Sequence, residues 1–117
     1  MGHFTVTVTL YPREAGASRA FEALVDPGAA YSVVPRPILE ALGCRPIRMQ
    51  RLRLADGRGD EWPLTQVDVE CEGRRVTTQV LMGPADGPVL LGAITLEALG
   101  FGVDPSGRRL VPVDAFV

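Results

Sequence analysis

The stretch Ala23-Leu24-Val25-Asp26-Pro27-Gly28-Ala29-Ala30 brings a carboxylate to the end of an apolar strand and then turns sharply. Burying a carboxylate beside a hydrophobic strand costs on the order of several kcal/mol unless the group is paired or hydrogen-bonded. The placement of Asp26 therefore indicates a chemical role. The alternative is a plain strand end, because Asp-Pro-Gly is common turn chemistry.

Length and charge restrict the class of protein. The chain has 117 residues, which fits a single domain over 1–117 with its own core. Its formal net charge of -2 leaves no basic surplus, so we expect neither nucleic acid nor a membrane surface as a partner. No apolar run approaches about 18 residues, and Met1-Gly2-His3 leads straight into a strand pattern. We therefore expect no membrane span, no signal peptide and a cytoplasmic location.

The inventory of reactive side chains is short. His3 is the single histidine, and Cys44 and Cys71 lie far apart in the sequence without a histidine nearby. The usual zinc ligand sets and Cys-His or Ser-His-Asp catalysis are therefore not expected. We expect no metal and no cofactor, and any acid-base chemistry falls to carboxylates.

Hydrophobic periodicity predicts a mainly β domain with two short helices. Alternation is strict from Phe4 to Leu10, whereas Val89-Leu90-Leu91 is continuously apolar and predicts a strand buried on both faces. The Asp-Gly of Ala55-Asp56-Gly57-Arg58 predicts a tight hairpin. The predicted strands are 4–10, 20–25, 32–34, 47–54, 61–71, 75–82, 89–91, 101–103 and 109–113, with a turn at 105–107 and helices at 35–42 and 93–99.

One short sequence occurs twice. Leu39-Glu40-Ala41-Leu42-Gly43 recurs as Leu96-Glu97-Ala98-Leu99-Gly100, each time after a strand and a glycine-containing turn. A duplicated strand-turn-helix unit would explain the recurrence. Coincidence is the alternative, because these are common helix and cap residues.

In this order the motifs resemble those of the retroviral-type, or retropepsin-like, aspartic proteases over nearly the whole chain. The signature of that family, apolar-apolar-Asp-Thr/Ser-Gly-Ala, stands here as Leu24-Val25-Asp26-Pro27-Gly28-Ala29. Its second signature stands as Val89-Leu90-Leu91-Gly92, followed by the helical stretch 94–99. The hairpin 51–64 sits where the family has its substrate-covering flap. The tip Leu54-Ala55-Asp56-Gly57 and the second signature resemble bacterial members in particular.

The resemblance implies a closed, single-lobed acid-protease β-barrel that forms a homodimer about a two-fold axis. It also implies an aspartic endopeptidase that hydrolyses a peptide or protein, with one catalytic aspartate from each subunit activating a water molecule. The implied residues are Asp26 as the catalytic group, Pro27, Gly28 and Ala29 in its loop, Ala55, Asp56, Gly57 and Arg58 in the flap, and Leu90, Leu91 and Gly92 in the second motif.

The chain departs from the family at Pro27, where the family has Thr or Ser. In the family, that hydroxyl bonds to the loop of the opposite subunit, and proline offers neither a hydroxyl nor a backbone N–H. Two alternatives to a protease therefore stay open. One is a weakly active or inactive peptide-binding or dimerisation module on the same fold, and the other is an unrelated small β domain.

A few further residues have two interpretations each. Trp62 is either a substrate-contacting flap residue or a core or interface anchor, and Tyr31 either shapes a subsite or packs. The cysteines are expected to be small buried hydrophobes. Alternation with apolar residues favours a solvated strand face over a phosphate site for a set of five arginines: Arg45, Arg48, Arg51, Arg53 and Arg58.

Overall fold

A computed structural model describes residues 3–104 and 106–117; Met1, Gly2 and Pro105, the last in the predicted turn 105–107, lie outside the described residues. The described residues form nine strands and two helices, as the sequence pattern predicts. The strands are β1 Thr5–Tyr11, β2 Arg19–Val25, β3 Ser32–Pro35, β4 Arg48–Arg53, β5 Gly59–Cys71, β6 Arg74–Gly83, β7 Leu90–Leu91, β8 Phe101–Asp104 and β9 Arg109–Pro112, and the helices are α1 Arg36–Ala41 and α2 Ala93–Leu99.

Seven of the strands form one sheet in the order β1-β2-β7-β3-β6-β5-β4. Because β1 also pairs with β5, through Thr9 to Tyr11, six strands close into a ring and β4 stays attached outside it. Strands β8 and β9 pair separately as a two-stranded sheet. The predicted mainly β fold with two short helices is confirmed.

The core follows the alternation of the strands. Val8 and Leu10 of β1 face inward with Val67 and Val69 of β5, and the threonines between the β1 residues are more exposed. Leu39 of α1 is fully buried against this core. No helix among the described residues has the length and apolarity needed to cross a membrane.

Both helices end in the same way. Gly43, just after α1, and Gly100, just after α2, have φ angles of 81° and 76°. That left-handed conformation is strained for residues with a side chain, so glycine ends a helix there at little cost. The two copies of the repeated sequence thus occupy equivalent places at the end of a helix. Their origin by duplication stays a prediction.

The prediction for Val89-Leu90-Leu91 is wrong in one respect. Strand β7 contains only Leu90 and Leu91; it pairs in parallel with β2 and antiparallel with β3 at Val33. Leu91 is buried in the core, but Leu90, on the opposite face by alternation, is only half-buried and is not part of that core. In this strand, the continuous apolar run coincides with pairing to a neighbouring strand along both edges. It does not coincide with burial of both faces.

Arg74 joins the β5–β6 turn to the end of α2. Its Nη1 donates to the carbonyl oxygens of Leu99 (2.8 Å) and Gly100 (3.1 Å), which the end of the helix leaves without intrahelical partners. Its guanidinium lies 4.5 Å from the centroid of the Phe101 ring. The arginine therefore fixes the helix that begins at the second motif.

Replacing Arg74 by Met should lower the free energy of unfolding by about 1–2 kcal/mol, because the change removes charge-assisted bonds and a cation–π contact. Urea denaturation followed by fluorescence measures this. Arg51→Met, on the exposed side of β4, is the control and should stay within about 0.5 kcal/mol of the wild type. Equal losses in both variants would contradict the capping role.

Candidate active site

Asp26 lies at the point where β2 ends and the chain turns. Its backbone N–H donates to the carbonyl of Leu91 (2.9 Å), which places it directly beside the second motif. Its Oδ1 accepts the backbone N–H of Gly28 (3.1 Å), and its carbonyl accepts that of Ala29 (3.1 Å). The side chain is half-buried, while Pro27 and Gly28 are exposed. The carboxylate is therefore oriented by its own turn and remains accessible.

The loop after Asp26 caps the helix that follows the second motif. The first N–H groups of a helix have no intrahelical acceptor. In α2, Ala93 donates to the carbonyl of Ala29 (2.8 Å) and Ile94 to that of Ala30 (2.9 Å). Since α2 has no side-chain cap, the Asp26 loop itself supplies the acceptors. These hydrogen bonds hold the Asp26 loop and the start of α2 together, although the two are far apart in the sequence.

Gly92 permits this close approach. A Cβ atom at this position would lie 2.5 Å from the carbonyl oxygen of Tyr31 and 2.9 Å from that of Ala29. The backbone of Gly92 is extended, with φ at -101°. Space rather than conformation therefore requires glycine after Leu91.

A buried pair of hydroxyl groups, which sequence reasoning missed, stabilises the place where the Asp26 loop passes over Gly92, the Gly92 crossing. Ser32 Oγ and Thr95 Oγ1 are 2.6 Å apart, and Ser32 Oγ also accepts the backbone N–H of Gly92 (3.0 Å). Both side chains are almost fully buried. The available signal was a lone polar residue next to Val33-Val34 and another inside an apolar helix, but only the fold shows that they meet.

The predicted flap is a long hairpin of β4 and β5. Its tip, residues 55–58, is exposed and bonds within itself: Asp56 Oδ1 accepts the N–H of Arg58 (3.0 Å), and Oδ2 pairs with the Arg58 Nε (2.7 Å). The Arg58 backbone N–H, and then its guanidinium, hold the pKa of Asp56 below its usual range. Gly57, with φ at 88°, makes the turn. The loop at Asp26 instead contacts the hairpin further down, where the Tyr31 hydroxyl lies 3.5 Å from Gln50 Oε1.

A groove of about 660 Å³ opens beside the Asp26 loop. It lies between that loop, the N-terminal residues, α2 and β8. Its lining is mostly apolar, with carboxylates at two positions, Asp26 and Glu97. The lining residues are His3, Phe4, Val25, Asp26, Pro27, Gly28, Ala93, Leu96, Glu97, Phe101, Gly102 and Val103.

Neither cysteine is placed for reactivity. Burial raises the pKa of the Cys71 thiol to about 11, and burial also raises that of Cys44. Both thiols are therefore neutral near pH 7 and pack as small apolar groups. Across residues 3–104 and 106–117, no cluster of three or more His, Cys, Asp or Glu side chains could hold a metal ion.

Comparisons with known proteins identify the fold. No family model and no curated protein matches the sequence. Among solved structures, the chain is similar to the simian foamy virus (mac) protease, with a TM-score of 0.58 and 22% identity over 80% of this chain and 92% of that one. It is also similar to the EIAV protease complexed with the inhibitor HBY-793, with a TM-score of 0.62 and 21% identity over 94% and 93%. The chain therefore has a retropepsin-like fold.

Gly92→Ala should destabilise the protein by about 2–4 kcal/mol, because the new methyl group would overlap two backbone carbonyls that cannot move independently. Urea denaturation measures the loss. Gly59→Ala in the flap is the control: its Cβ would meet only the Leu52 carbonyl, at an ordinary 3.8 Å, so it should change little. A Gly92→Ala protein as stable as the control would contradict this close packing of the loop on Gly92.

Proposed function

We propose that this protein is an aspartic endopeptidase that works as a homodimer, with Asp26 of each subunit forming the catalytic pair. The proposal rests on the position of Asp26. This residue is accessible, is oriented by its own turn and is hydrogen-bonded beside the Gly92 crossing, on a fold shared with viral proteases. The substrate would be a peptide or protein. We place the chain nearest the bacterial members on its Leu-Ala-Asp-Gly tip, and the predicted cytoplasmic location stays a prediction.

The requirement for two subunits follows from the number of available carboxylates. Asp56 is engaged with Arg58 in the flap turn. Asp104 is engaged with its own turn, since the N–H of Gly107 and then the Ser106 hydroxyl hold its pKa below the usual range. Asp86 lies in the exposed loop after β6, which leaves Asp26 as the candidate among the aspartates that begin a glycine-containing turn. A two-fold axis brings the same residue of both chains together, so one aspartate per chain is enough for a pair.

The chemistry follows from the charges of such a pair. Two carboxylates about 3 Å apart cannot both ionise cheaply, so they share one proton. The ionised group takes a proton from water as the water oxygen bonds to the scissile carbonyl carbon, and the protonated group donates to the carbonyl oxygen. When the tetrahedral intermediate collapses, the C–N bond breaks, the amine leaves with a proton from the pair, and a hydroxyl group of the intermediate returns its proton to the pair.

The hairpin of β4 and β5 offers a cover for an extended substrate. Such a peptide adds to exposed strand edges through main-chain hydrogen bonds, while its side chains enter separate pockets. The outer edge of β4 is unpaired in the described sheet, since β4 ends the strand order. A peptide between this hairpin and the Asp26 loop would lie against both halves of the site.

Pro27 favours a second candidate function. At this position proline has no hydroxyl and no N–H to hold a second copy of the loop, and its ring is exposed. A buried polar group left without its partner costs about 1–3 kcal/mol, and a catalytic group misplaced by about 1 Å can lose about a hundredfold in rate. The alternative is a peptide-binding or dimerisation module that has kept the fold and lost hydrolysis.

Asp26→Asn tests the catalytic assignment. Because an amide cannot accept the proton of the attacking water, we expect peptide cleavage at acidic pH to fall by at least about a hundredfold. A statine-type mimic of the tetrahedral intermediate should inhibit the wild type. Asp86→Asn, in the exposed loop after β6, is the control and should keep its activity. Robust cleavage by purified Asp26→Asn protein would remove the proposal.

Pro27→Thr separates the two candidate functions. If the loop is braced well enough without the hydroxyl, the change should alter kcat by less than about tenfold. Pro27→Ala is the matched variant that removes the ring without adding a hydroxyl. A wild type with almost no turnover that gains about a hundredfold on Pro27→Thr, and not on Pro27→Ala, would favour the non-catalytic module.

A further inference from the structure

A chain of polar contacts runs from the Asp26 loop to the base of the flap. The Tyr31 hydroxyl lies 3.5 Å from Gln50 Oε1, and Arg48 Nη1 donates to the same oxygen at 2.6 Å. Arg48 Nη1 also reaches the carbonyl of Met49 (3.3 Å), and the Gln50 Nε2 donates to that of Arg51 (3.0 Å). The amide of Gln50 is therefore fixed at both ends, and it holds a guanidinium next to Tyr31.

These residues occupy the inner face of the hairpin. Gln50 lies directly opposite Trp62 on β5, and cross-strand partners share a face. Gln50, Leu52 and Trp62 are half-buried, whereas Met49 and Arg51, on the other face, are exposed. Arg48 alternates with Gln50 and so belongs to the same face, although its side chain is exposed.

Trp62 supplies an apolar wall on that face. A Cβ at Gly83 would lie 3.7 Å from Cζ3 of Trp62 and 2.5 Å from Cγ1 of Val33. The indole therefore packs over a position without a side chain, close to the strand that follows the Asp26 loop. Its Nε1 donates to Asp60 Oδ2 (3.3 Å), so the ring is oriented rather than free.

Arg48 has a hydrogen-bonded position but no counter-charge. Among the described residues, ion pairs form at Asp56, Asp68, Asp104 and Glu40, and none of them involves Arg48. A guanidinium has five N–H donors and is always charged, and here a single nitrogen, Nη1, bonds to the neighbouring oxygens. The remaining donors match a carboxylate, which a guanidinium can bind through two parallel bonds.

We propose that Arg48 is a specificity-determining residue that selects substrates with an acidic side chain near the scissile bond. This inference rests on the proposed function, because it takes the space between the hairpin and the Asp26 loop as the substrate cleft. A two-fold dimer presents Arg48 twice, so the acidic preference falls at symmetric positions on both sides of the bond. Trp62 borders the same subsite and contributes its apolar side.

Binding tests the inference separately from catalysis. The Asp26→Asn protein is titrated with a positional set of short peptides that differ only by Glu against Gln, at a pH between about 5.5 and 6.5, where Glu is ionised. Trp62 is the single tryptophan of the chain, so its fluorescence reports on occupancy beside Arg48. We expect at least one Glu peptide to bind about fivefold more tightly than its Gln partner in low salt, and the difference to shrink at about 1 M salt.

Arg48→Gln should abolish the difference between Glu and Gln peptides, and Arg51→Gln, on the outer face of the same strand, should retain it. Equal binding of the two peptide types by Arg48 protein at every position would overturn this inference and leave the protease proposal standing. Binding of no peptide by the Asp26→Asn protein would overturn both. In the wild type, the same pairs should give a matching preference in kcat/KM.

Discussion

The site depends on one close approach of backbone to backbone, where the loop after Asp26 passes over Gly92 and the start of α2. Loop carbonyls at Ala29 and Ala30 accept the first N–H groups of the helix, and the carbonyls of Ala29 and Tyr31 leave no room for a side chain at Gly92. Neither segment could hold this shape alone, because the loop needs donors and the helix needs acceptors. The carboxylate of Asp26 is therefore positioned by main-chain geometry rather than by a neighbouring charge.

The same constraint explains why Pro27 is compatible with the fold and still matters for function. The bonds that fix the loop within one chain use the backbone and the side chains of Asp26, Tyr31 and Ser32, and none requires a hydroxyl or N–H at position 27. Proline lacks the hydroxyl and the N–H that could bond to the same loop of a second copy. The protein can therefore keep its architecture intact, and under the proposed function the rate of cleavage would depend on how well two exposed loops meet without that hydroxyl. This separation keeps a protease and a binding module as distinct, testable functions for one structure.

Local patterns predicted most of the fold, and pairwise contacts supplied the rest. The alternation of 4–10, the Asp-Gly hairpin tip and the glycine after each helix are statements about neighbouring residues, and the structure confirms them. The bond of Ser32 to Thr95 and the contact of Tyr31 with Gln50 join residues far apart in the chain. A pattern of neighbouring residues therefore cannot predict them. The half-exposed Leu90 was missed for a related reason: strand hydropathy does not tell which face the core covers.

The five arginines assigned to a solvated face are exposed. Arg48 differs from Arg51 in that its guanidinium donates to the side chain of Gln50, which the sequence does not show.

The proposed function requires two Asp26 carboxylates to meet across a two-fold axis, and a crystal structure of the full chain at acidic pH measures their separation. We expect a dimer in which the nearest Asp26 oxygens lie about 3 Å apart, the separation at which two carboxyl groups share a proton. A molecule that stays monomeric while it cleaves peptides, or a dimer whose Asp26 side chains face away from each other, would contradict it.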